Sequence, residues 1–564
     1  AIQLLLIGLD HAHLGLPIVT KKSNLSFPIA SNTKLGWVVY GPCSSALPNS
    51  SKSCLFVNLD NDNSMHKLVE NYFNVENIGV RPAPIIESQD DIRAKKILMD
   101  TTKRVGSKFE TGLLWKNDSI NMPSSYSMAL KRLEGMERKM LKDENFAQAY
   151  KEIIHGYIEK GYARKVPTEE LQCPSARKWY LPHFGVTNPN KPKKVRLVFD
   201  AAAQTDGLSL NSFLLKGPQD MELLPTILFN FRRGKVAVCA DIKEMFHQIY
   251  IMPDDRTNQR FLWREEKNFG QPPDEYEMLV MTFGAACSPC SARYVLKKNA
   301  LEHTESNPRA VEAIIKHHYV DDFVDSFDNV EEAILISKEV CSIHKNGGFE
   351  LRAFCSNSVD VVTMMGGSVE ARSMLASDGI EKVLGVYWDC SSDTFKFHLK
   401  FNRVHDIVTS GQRKPTKREL LSIIMSTFDP LGFLSNFIVG GKLILREVWR
   451  RDCRWDEQIP DDIAQSWEEW RVLMFKVPNF KIPRCYFQHG MPTELQLHVF
   501  VDSSEYAFAA VGYWRYKVDG IVNVSFITAK TKCSPLKTVS IPRLELQAAV
   551  LGTRLVQTIL DGHK

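Results

Sequence analysis

Three aspartates stand where their carboxylates could hold metal ions. Asp321 and Asp322 are adjacent in KHHYVDDFVDS, between two short β-prone runs. Asp241 closes the apolar run of KVAVCAD, eighty residues upstream. Two carboxylates in a tight turn repel each other unless a cation neutralises them. Magnesium takes hard oxygen ligands from a few carboxylates and keeps water and phosphate for the rest. A pair of such ions suits the in-line attack of a 3′-hydroxyl on an α-phosphate, because it stabilises the attacking and leaving oxygens together. An Asp-Asp pair is also an ordinary turn, and Asp325 and Asp328 make this stretch acid-rich in any case. The strand-borne Asp241 is what turns the doublet into a candidate site.

The elements that must position these residues are legible from spacing. Val236, Val238 and Ala240 alternate into Asp241, so Asp241 ends a buried strand, and Met245, Phe246 and Ile249 begin a helical spacing after it. HHYVDDFVDS reads as strand, turn, strand with the doublet at the tip. Between Val195 and Val330, short β-type runs (Val195–Phe199, Val236–Ala240, Met278–Thr282, His318–Val324) alternate with helical stretches. That mixture predicts an α+β domain around an antiparallel sheet. On either side, residues 1–42 read as β-structure with tight turns, 43–90 as a linker, and 91–160 as helical. Residues 415–475 read as helical again, broken at Asp429-Pro430 and Gly432. From Leu495 the pattern is strand, turn, strand and then helix.

A chain of 564 residues exceeds one core and predicts about three to four domains. With 44% hydrophobic and 24% charged residues it is neither disordered nor fibrous. The net charge of +5 is small for this length, but residues 151–200 hold ten Lys/Arg against five acids, which predicts a local basic face. The twelve cysteines are scattered, and Cys287 and Cys290 form a CxxC with no second ligand pair at zinc spacing. They read as reduced packing thiols of an intracellular protein, in a cytoplasmic particle or the nucleus. No apolar run approaches a membrane span, and IQLLLIGL lacks the charged leader of a signal peptide. The chain starts at Ala1 and ends in DGHK, as a fragment of something longer would.

The ordered set ADIKEMFHQI, MTFGAACSP, YVDD, GFELRAFCSN and VLGVYWD resembles the palm of a retroelement reverse transcriptase, most closely that of the Pao/BEL class of long-terminal-repeat retrotransposons. GLLWK, KVRLVFDAAA, STFDPLGFL and SIPRLELQAAVL match that class in the same order, so the resemblance spans nearly the whole chain. It implies a multidomain α+β protein with a right-hand polymerase core of fingers, palm and thumb. The flanks would be a truncated β-rich retropepsin-like remnant and a truncated RNase H-like α/β module. The boundaries that follow are 1–45 for the protease remnant, 46–145 for linker and helices, 146–400 for fingers and palm, 401–490 for a thumb- or connection-like region and 491–564 for the RNase H-like part.

The resemblance further implies RNA-directed DNA polymerisation with two Mg²⁺ or Mn²⁺ ions, deoxynucleoside triphosphates and a primer on an RNA or DNA template. Asp241 and Asp321 would bridge both metals, with Asp322 adjacent and the Ile242 carbonyl as a backbone ligand. Phe246 would exclude ribonucleotides by bulk, although core packing explains it equally well. Arg196 would grip the triphosphate as a bidentate guanidinium, with Lys191, Lys193 and Lys194 nearby. Phe283-Gly284 stands where some relatives carry Gln-Gly against the base, so stacking is kept and hydrogen bonding lost. Leu384, Gly385, Tyr387 and Trp388 fall in the hairpin that grips the primer terminus.

At the tail, LHVFVDSSEYAFAAVGYW places Asp502 at the end of a first RNase H-like strand, and PRLELQAAV places Glu545 in the following helix. The only later acid, Asp561, is too near Glu545 to be a third-strand ligand, so the expectation is an incomplete, inactive nuclease. At the head, an aspartic protease needs paired Asp-Ser/Thr-Gly turns, and residues 1–60 contain none. ASDG at 376–379 is the wrong motif, Asp10 belongs to a structural loop, and His11 and His13 lack further ligands. The rival to an active polymerase is a decayed copy that keeps the fold and binds nucleic acid or protein without catalysis.

Overall fold

The computed structural model describes residues 19–21, 29–33, 36–40, 87–171, 177–188, 191–218, 220–265, 271–367, 380–401 and 403–563. Two compact units divide the chain after His66. In the first, β1 (Val19–Lys21), β2 (Ile29–Thr33) and β3 (Gly36–Tyr40) form an antiparallel sheet in that order, as the Gly/Pro-punctuated apolar runs predict. Asp10, His11, His13, the 43–86 stretch and the ASDG motif lie outside the described residues.

The second unit is mixed α/β. After the helix Gln89–Thr101 and the strands Lys103–Val105 and Lys108–Thr111 comes a helical pair, α1 (Tyr126–Lys142) and α2 (Glu144–Glu159), the latter capped by Asp143, whose carboxylate accepts the Phe146 amide at 2.9 Å. A long hairpin follows, β4 (His183–Asn188) with β5 (Lys191–Phe199). Gly185 lies against the Phe146 ring of α2, where a Cβ would come within 2.7 Å of it.

At the centre lies a four-stranded antiparallel sheet. Its members are β6 (Val236–Ile242), β7 (His318–Tyr319), β8 (Asp322–Phe327) and β9 (Leu351–Ser356), in the order β7-β8-β6-β9. Strand alternation sorts the faces. Val236, Val238, Ala240, Phe323 and Phe327 pack against three helices, α3 (Ser288–Leu301), α4 (Pro308–Lys316) and α5 (Val330–Asn346). Ala237 and Val324, on the other face, pack toward the helix Leu224–Phe231. Burying these side chains fully contributes about 1.5–3 kcal/mol for each large one, which is why the register cannot slip.

Beyond the central sheet, β10 (Ile380–Val383), β11 (Val386–Asp389), β12 (Thr394–Lys396) and the distant β13 (Lys481–Pro483) form a second antiparallel sheet in chain order. Between β12 and β13 come α6 (Lys417–Met425), α7 (Ser435–Arg450) and α8 (Asp461–Met474), packed around Trp467, Trp470, Phe437 and Ile424. The expected break between α6 and α7 is a docked turn. The Asp429 carboxylate accepts the Phe433 and Leu434 amides at 2.9 and 2.7 Å, and Gly432 has φ +74°. A Cβ on Gly432 would lie 2.0 Å from the Ala529 carbonyl oxygen, so only glycine lets this turn meet the strand there.

The tail is a three-stranded antiparallel sheet, β14 (Glu494–Ser503), β15 (Ala507–Val518) and β16 (Ile521–Cys533), crossed by the 22-residue α9 (Ile541–Gly562). No helix among the described residues is long and apolar enough to cross a membrane. The described cysteines are free thiols.

Candidate active site

The three aspartates come together on the central sheet. Asp322 of β8 is the cross-strand partner of Asp241 of β6. The Ile242 amide donates to the Asp321 carbonyl at 2.9 Å, which leaves Asp241 and Asp322 as the close, non-hydrogen-bonded pair. Directly opposed residues share a face. Both carboxylates therefore project from the face opposite α3–α5, where each is half-buried.

Asp321 sits in the two-residue turn Val320-Asp321 between β7 and β8. Val320 has φ +57°, a left-handed backbone that a β-branched residue adopts only under strain. A buried histidine pair lies beneath this turn. His318 is buried in β7, and its Nε2 stands 3.0 Å from Nε2 of His344, also buried, on α5. The second acid pair of this stretch divides: Asp328 is exposed, whereas Asp325 is 1% exposed and serves the core. Its carboxylate meets His317 Nδ1 at 2.7 Å and the Arg309 guanidinium at 3.0 Å. Burial opposes the charge, yet those partners hold the Asp325 carboxyl below its usual range.

The electrostatics single out the doublet. Burial, then the neighbouring charges of Asp321 and Asp241, push the Asp322 carboxyl up to about 7. Burial and then Asp241 raise Asp321 as well. The described ion pair at the site is from Arg352 of β9, whose Nε lies 3.0 Å from Asp241 Oδ2. In donor type the three carboxylates suit a hard divalent cation. In placement they fall short. Among the described residues, no group of three or more His, Cys, Asp or Glu side chains stands ready to hold a metal ion.

The expected nucleotide-side residues are partly gathered. After β6 the chain does not continue as a helix. Glu244 has φ +47°, and a single 3₁₀ turn, Met245–Gln248, leads into a short strand, Ile249–Ile251. Phe246 is buried in that turn with its ring 4.6 Å, edge to face, from Phe283. Phe283 is 40% exposed. Gly284 beside it has φ +111°, and a Cβ there would lie 2.4 Å from the Phe199 carbonyl oxygen of β5. Asn211 locks this approach, donating to the Gly284 carbonyl at 3.0 Å and accepting the Ala286 amide at 2.8 Å. Phe246, Phe283 and Gly284 are thus one patch. Arg196 is exposed on β5 opposite Val186, three residues and about 10 Å along the strand from that contact.

The basic stretch is less free than its composition predicts. Lys160 pairs with Glu244, Arg164 with Glu277 and Glu170, and Lys165 with Asp274. Arg177 and Lys178 donate to the Asp118 and Leu171 carbonyls. The side chains of Lys191, Lys193 and Lys194 lie outside the described residues. Cys287 and Cys290 are thiols held neutral by burial, which pushes them up to about 11 and about 12.

The β10–β11 hairpin turns through Leu384 and Gly385, both with positive φ (+48° and +89°), the geometry of a type I′ turn. Gly385 abuts the Phe428 ring, where a Cβ would come within 2.5 Å. Tyr387 is half-buried against His398. Trp388 does not join the hairpin's outer surface. It is wholly buried, edge-on to Phe231, with its indole N–H donating to Asp393 at 3.0 Å. Its place is the core because strand alternation turns it inward next to Tyr387.

Asp502 and Glu545 are both exposed, at the end of β14 and in the second turn of α9. Val499 and Val501 face α9, where a Cβ on Gly552 would come within 2.3 Å of Val501, so alternation turns Asp502 to the opposite face.

Sequence reasoning assigned no role to Arg352, although GFELRAFCSN contains it, because no spacing rule joins residues 111 apart. The paired buried histidines and the buried Arg232 and Arg484 were likewise unmarked, since their partners come from other elements.

Residues 416–564, about a quarter of the chain, match the family described as Pao retrotransposon-like RNaseH-like domain. The match takes in α6–α8 as well as the β14–β16 sheet and α9. No curated protein matches the chain. Among solved structures it is similar to the foamy viral protease-reverse transcriptase in complex with RNA/DNA hybrid, at 13% identity and a TM-score of 0.46, over 96% of this chain and 64% of that one. It is also similar to the foamy viral protease-reverse transcriptase dRH in complex with ds DNA, at 14% identity and a TM-score of 0.45, over 95% of this chain and 82% of that one. The chain therefore spans a little under two thirds of the length of the first of these. Through residues 416–564 the chain is related to the Pao-type retroelement polyproteins, the class that its sequence motifs resemble.

Proposed function

We propose that the chain is an RNA-directed DNA polymerase region of a retroelement polyprotein, with a fingers–palm–thumb core in which the central sheet is the palm. The observation that carries this reading is the cross-strand pairing of Asp241 with Asp322, with Asp321 in the strained turn beside them. Asp241, Asp321 and Asp322 would hold two Mg²⁺ or Mn²⁺ ions, which when bound would supply charge stabilisation at the attacking and leaving oxygens. The chain's own residues do the positioning. Phe246 and Phe283 form an apolar wall for a deoxynucleotide, Gly284 lets the β5 backbone approach, and exposed Arg196 is free to meet phosphate. The Leu384-Gly385 turn, backed by Phe428, and half-buried Tyr387 would face a primer strand on an RNA or DNA template, with Trp388 as their buried support. Asp502 and Glu545 of the RNase H-like part are given no nuclease role in this reading.

The test is primer extension on an RNA template with Mg²⁺ or Mn²⁺, comparing the wild type with Asp321→Asn. Extension by the wild type, reduced at least a hundredfold in the variant, supports the reading. Absence of extension by the folded wild type under both metals overturns it. A second reading, a decayed copy that keeps the fold and binds nucleic acid or protein only, is favoured by the lack of an assembled three-ligand set among the described residues. Gel-shift binding of a primer–template without extension is its signature.

A further inference from the structure

We propose that Arg352 is a built-in counter-ion for the acid cluster, holding Asp241 in the metal-free protein and surrendering it to a divalent cation. The proposal rests on the polymerase reading of the three aspartates and adds the residue that sets their affinity for metal.

Backbone geometry aims this guanidinium. Sheet order places β6 between β8 and β9, so Asp241 has Asp322 as its partner on one side and Arg352 on the other. All three side chains leave the same face. Lys243 fastens the start of β9, its amide donating to the Glu350 carbonyl at 2.9 Å and its ammonium meeting the Glu350 carboxylate at 3.0 Å. Immediately after Arg352 the ladder breaks in a bulge before Cys355, with Ala353 at φ +55°. Bulges beside sites re-aim side chains, and this one ends regular pairing at Arg352.

The contact has the strength of a replaceable one. It runs through a single guanidinium nitrogen, Nε, to a single carboxylate oxygen, Oδ2, at 3.0 Å, with Arg352 51% and Asp241 35% exposed. Exposed pairs of this kind are weak and screened. A divalent cation at the same oxygen brings twice the charge and repels the guanidinium, so the two compete for it. Three crowded carboxylates without any cation would repel one another, which Arg352 relieves at Asp241.

The test is Mn²⁺ binding to the intact chain without nucleotide, read from the loss of the free-ion electron paramagnetic resonance signal, with far-UV circular dichroism as the folding control. Wild type, Arg352→Ala, Arg352→Lys and Asp241→Asn are compared. The expected result is Mn²⁺ binding about two- to fivefold tighter in Arg352→Ala than in wild type, an intermediate Kd in Arg352→Lys, and greatly weakened binding in Asp241→Asn. If Arg352→Ala does not fold, Arg352→Gln carries the same comparison. Equal or weaker binding by the neutral variant overturns the counter-ion role and leaves the polymerase reading intact. No Mn²⁺ binding by any of the four proteins overturns the reading of the aspartates as a metal site, and the proposal with it.

Discussion

Asp321 and Asp325 show how one residue type takes opposite duties within five positions. Asp321 occupies a strained turn with its carboxyl raised, whereas Asp325 is locked in the core by His317 and Arg309. Asp325→Asn should therefore destabilise the protein by about 3 kcal/mol, because it removes the buried carboxylate that Arg309 and His317 meet. The exposed Asp328→Asn should stay within about 0.5 kcal/mol. Urea denaturation of both variants checks the contrast, and equal midpoints would contradict the assignment. At Val320 the sign reverses. A β-branched residue at φ +57° stores about 1–3 kcal/mol, so Val320→Gly should raise stability by roughly 1 kcal/mol after glycine's own entropy is subtracted. A lower midpoint for Val320→Gly would show that the turn is unstrained. The doublet was visible in the sequence because two adjacent acids need a reason. Arg352 was not, because a cross-strand neighbour 111 residues away leaves no local trace.

Strands and helices with a clean period were legible, and their junctions were not. The alternation of Val236, Val238 and Ala240 announced β6, and the faces it implies are those observed. Apolar residues at 245, 246 and 249 mimicked helical spacing, but Glu244 enters a left-handed conformation and the run folds as a 3₁₀ turn and a strand. A single turn is too short for periodicity to decide. Junction chemistry rests instead on two buried arginines. Arg484 is wholly buried and donates to the carbonyls of Phe231, Gly234 and Lys235 and to the Asp393 carboxylate at 2.6 Å. Arg232 donates to the Arg484 and Ile527 carbonyls, each at 3.0 Å, with its guanidinium 4.1 Å from the centre of the Tyr486 ring. Together they fasten the Leu224–Phe231 helix, the β10–β13 sheet and β16. Arg484→Ala should cost about 3–5 kcal/mol, since it strands an anion and several carbonyls at once. The loss should be cooperative across all three elements in hydrogen exchange. Faster exchange confined to β13 would show that the clamp is local.

Across the second unit, the acids that face outward tolerate charge, while the core excludes it from its histidines. His183, His247, His318 and His344 are each at most 3% exposed. Burial pushes His183 and His247 down to about 4 and His344 to about 3, and burial followed by the His344 charge holds His318 well below its ordinary value. Their packing explains why charge is unwelcome. His183 lies among Tyr150, Phe199, Phe261 and Trp263, His247 against Tyr157 and Phe283, and His318 and His344 face each other with their Nε2 atoms 3.0 Å apart. In the unfolded chain each titrates near 6.5. Because the folded values lie below that, the unfolded state binds the extra protons, so stability is full above about pH 7 and falls as pH drops through 6.5. Each histidine then removes about 1.4 kcal/mol per pH unit, and four acting independently remove about 5 kcal/mol between pH 7.5 and 5.5, while the Asp322 carboxyl, raised to about 7, takes up its proton first in the folded state and offsets part of that loss. That is a large part of the 5–15 kcal/mol typical of a folded domain. Thermal melts should therefore be flat from pH 7 to 8 and drop steeply below pH 6, well before any carboxylate protonates in the unfolded chain. The doubly substituted His318→Leu/His344→Leu protein should lose about half of that slope. A melt independent of pH between 7.5 and 5.5 would mean that these rings are solvated, and that the helix-backed support beneath the Asp321 turn is looser than its packing implies.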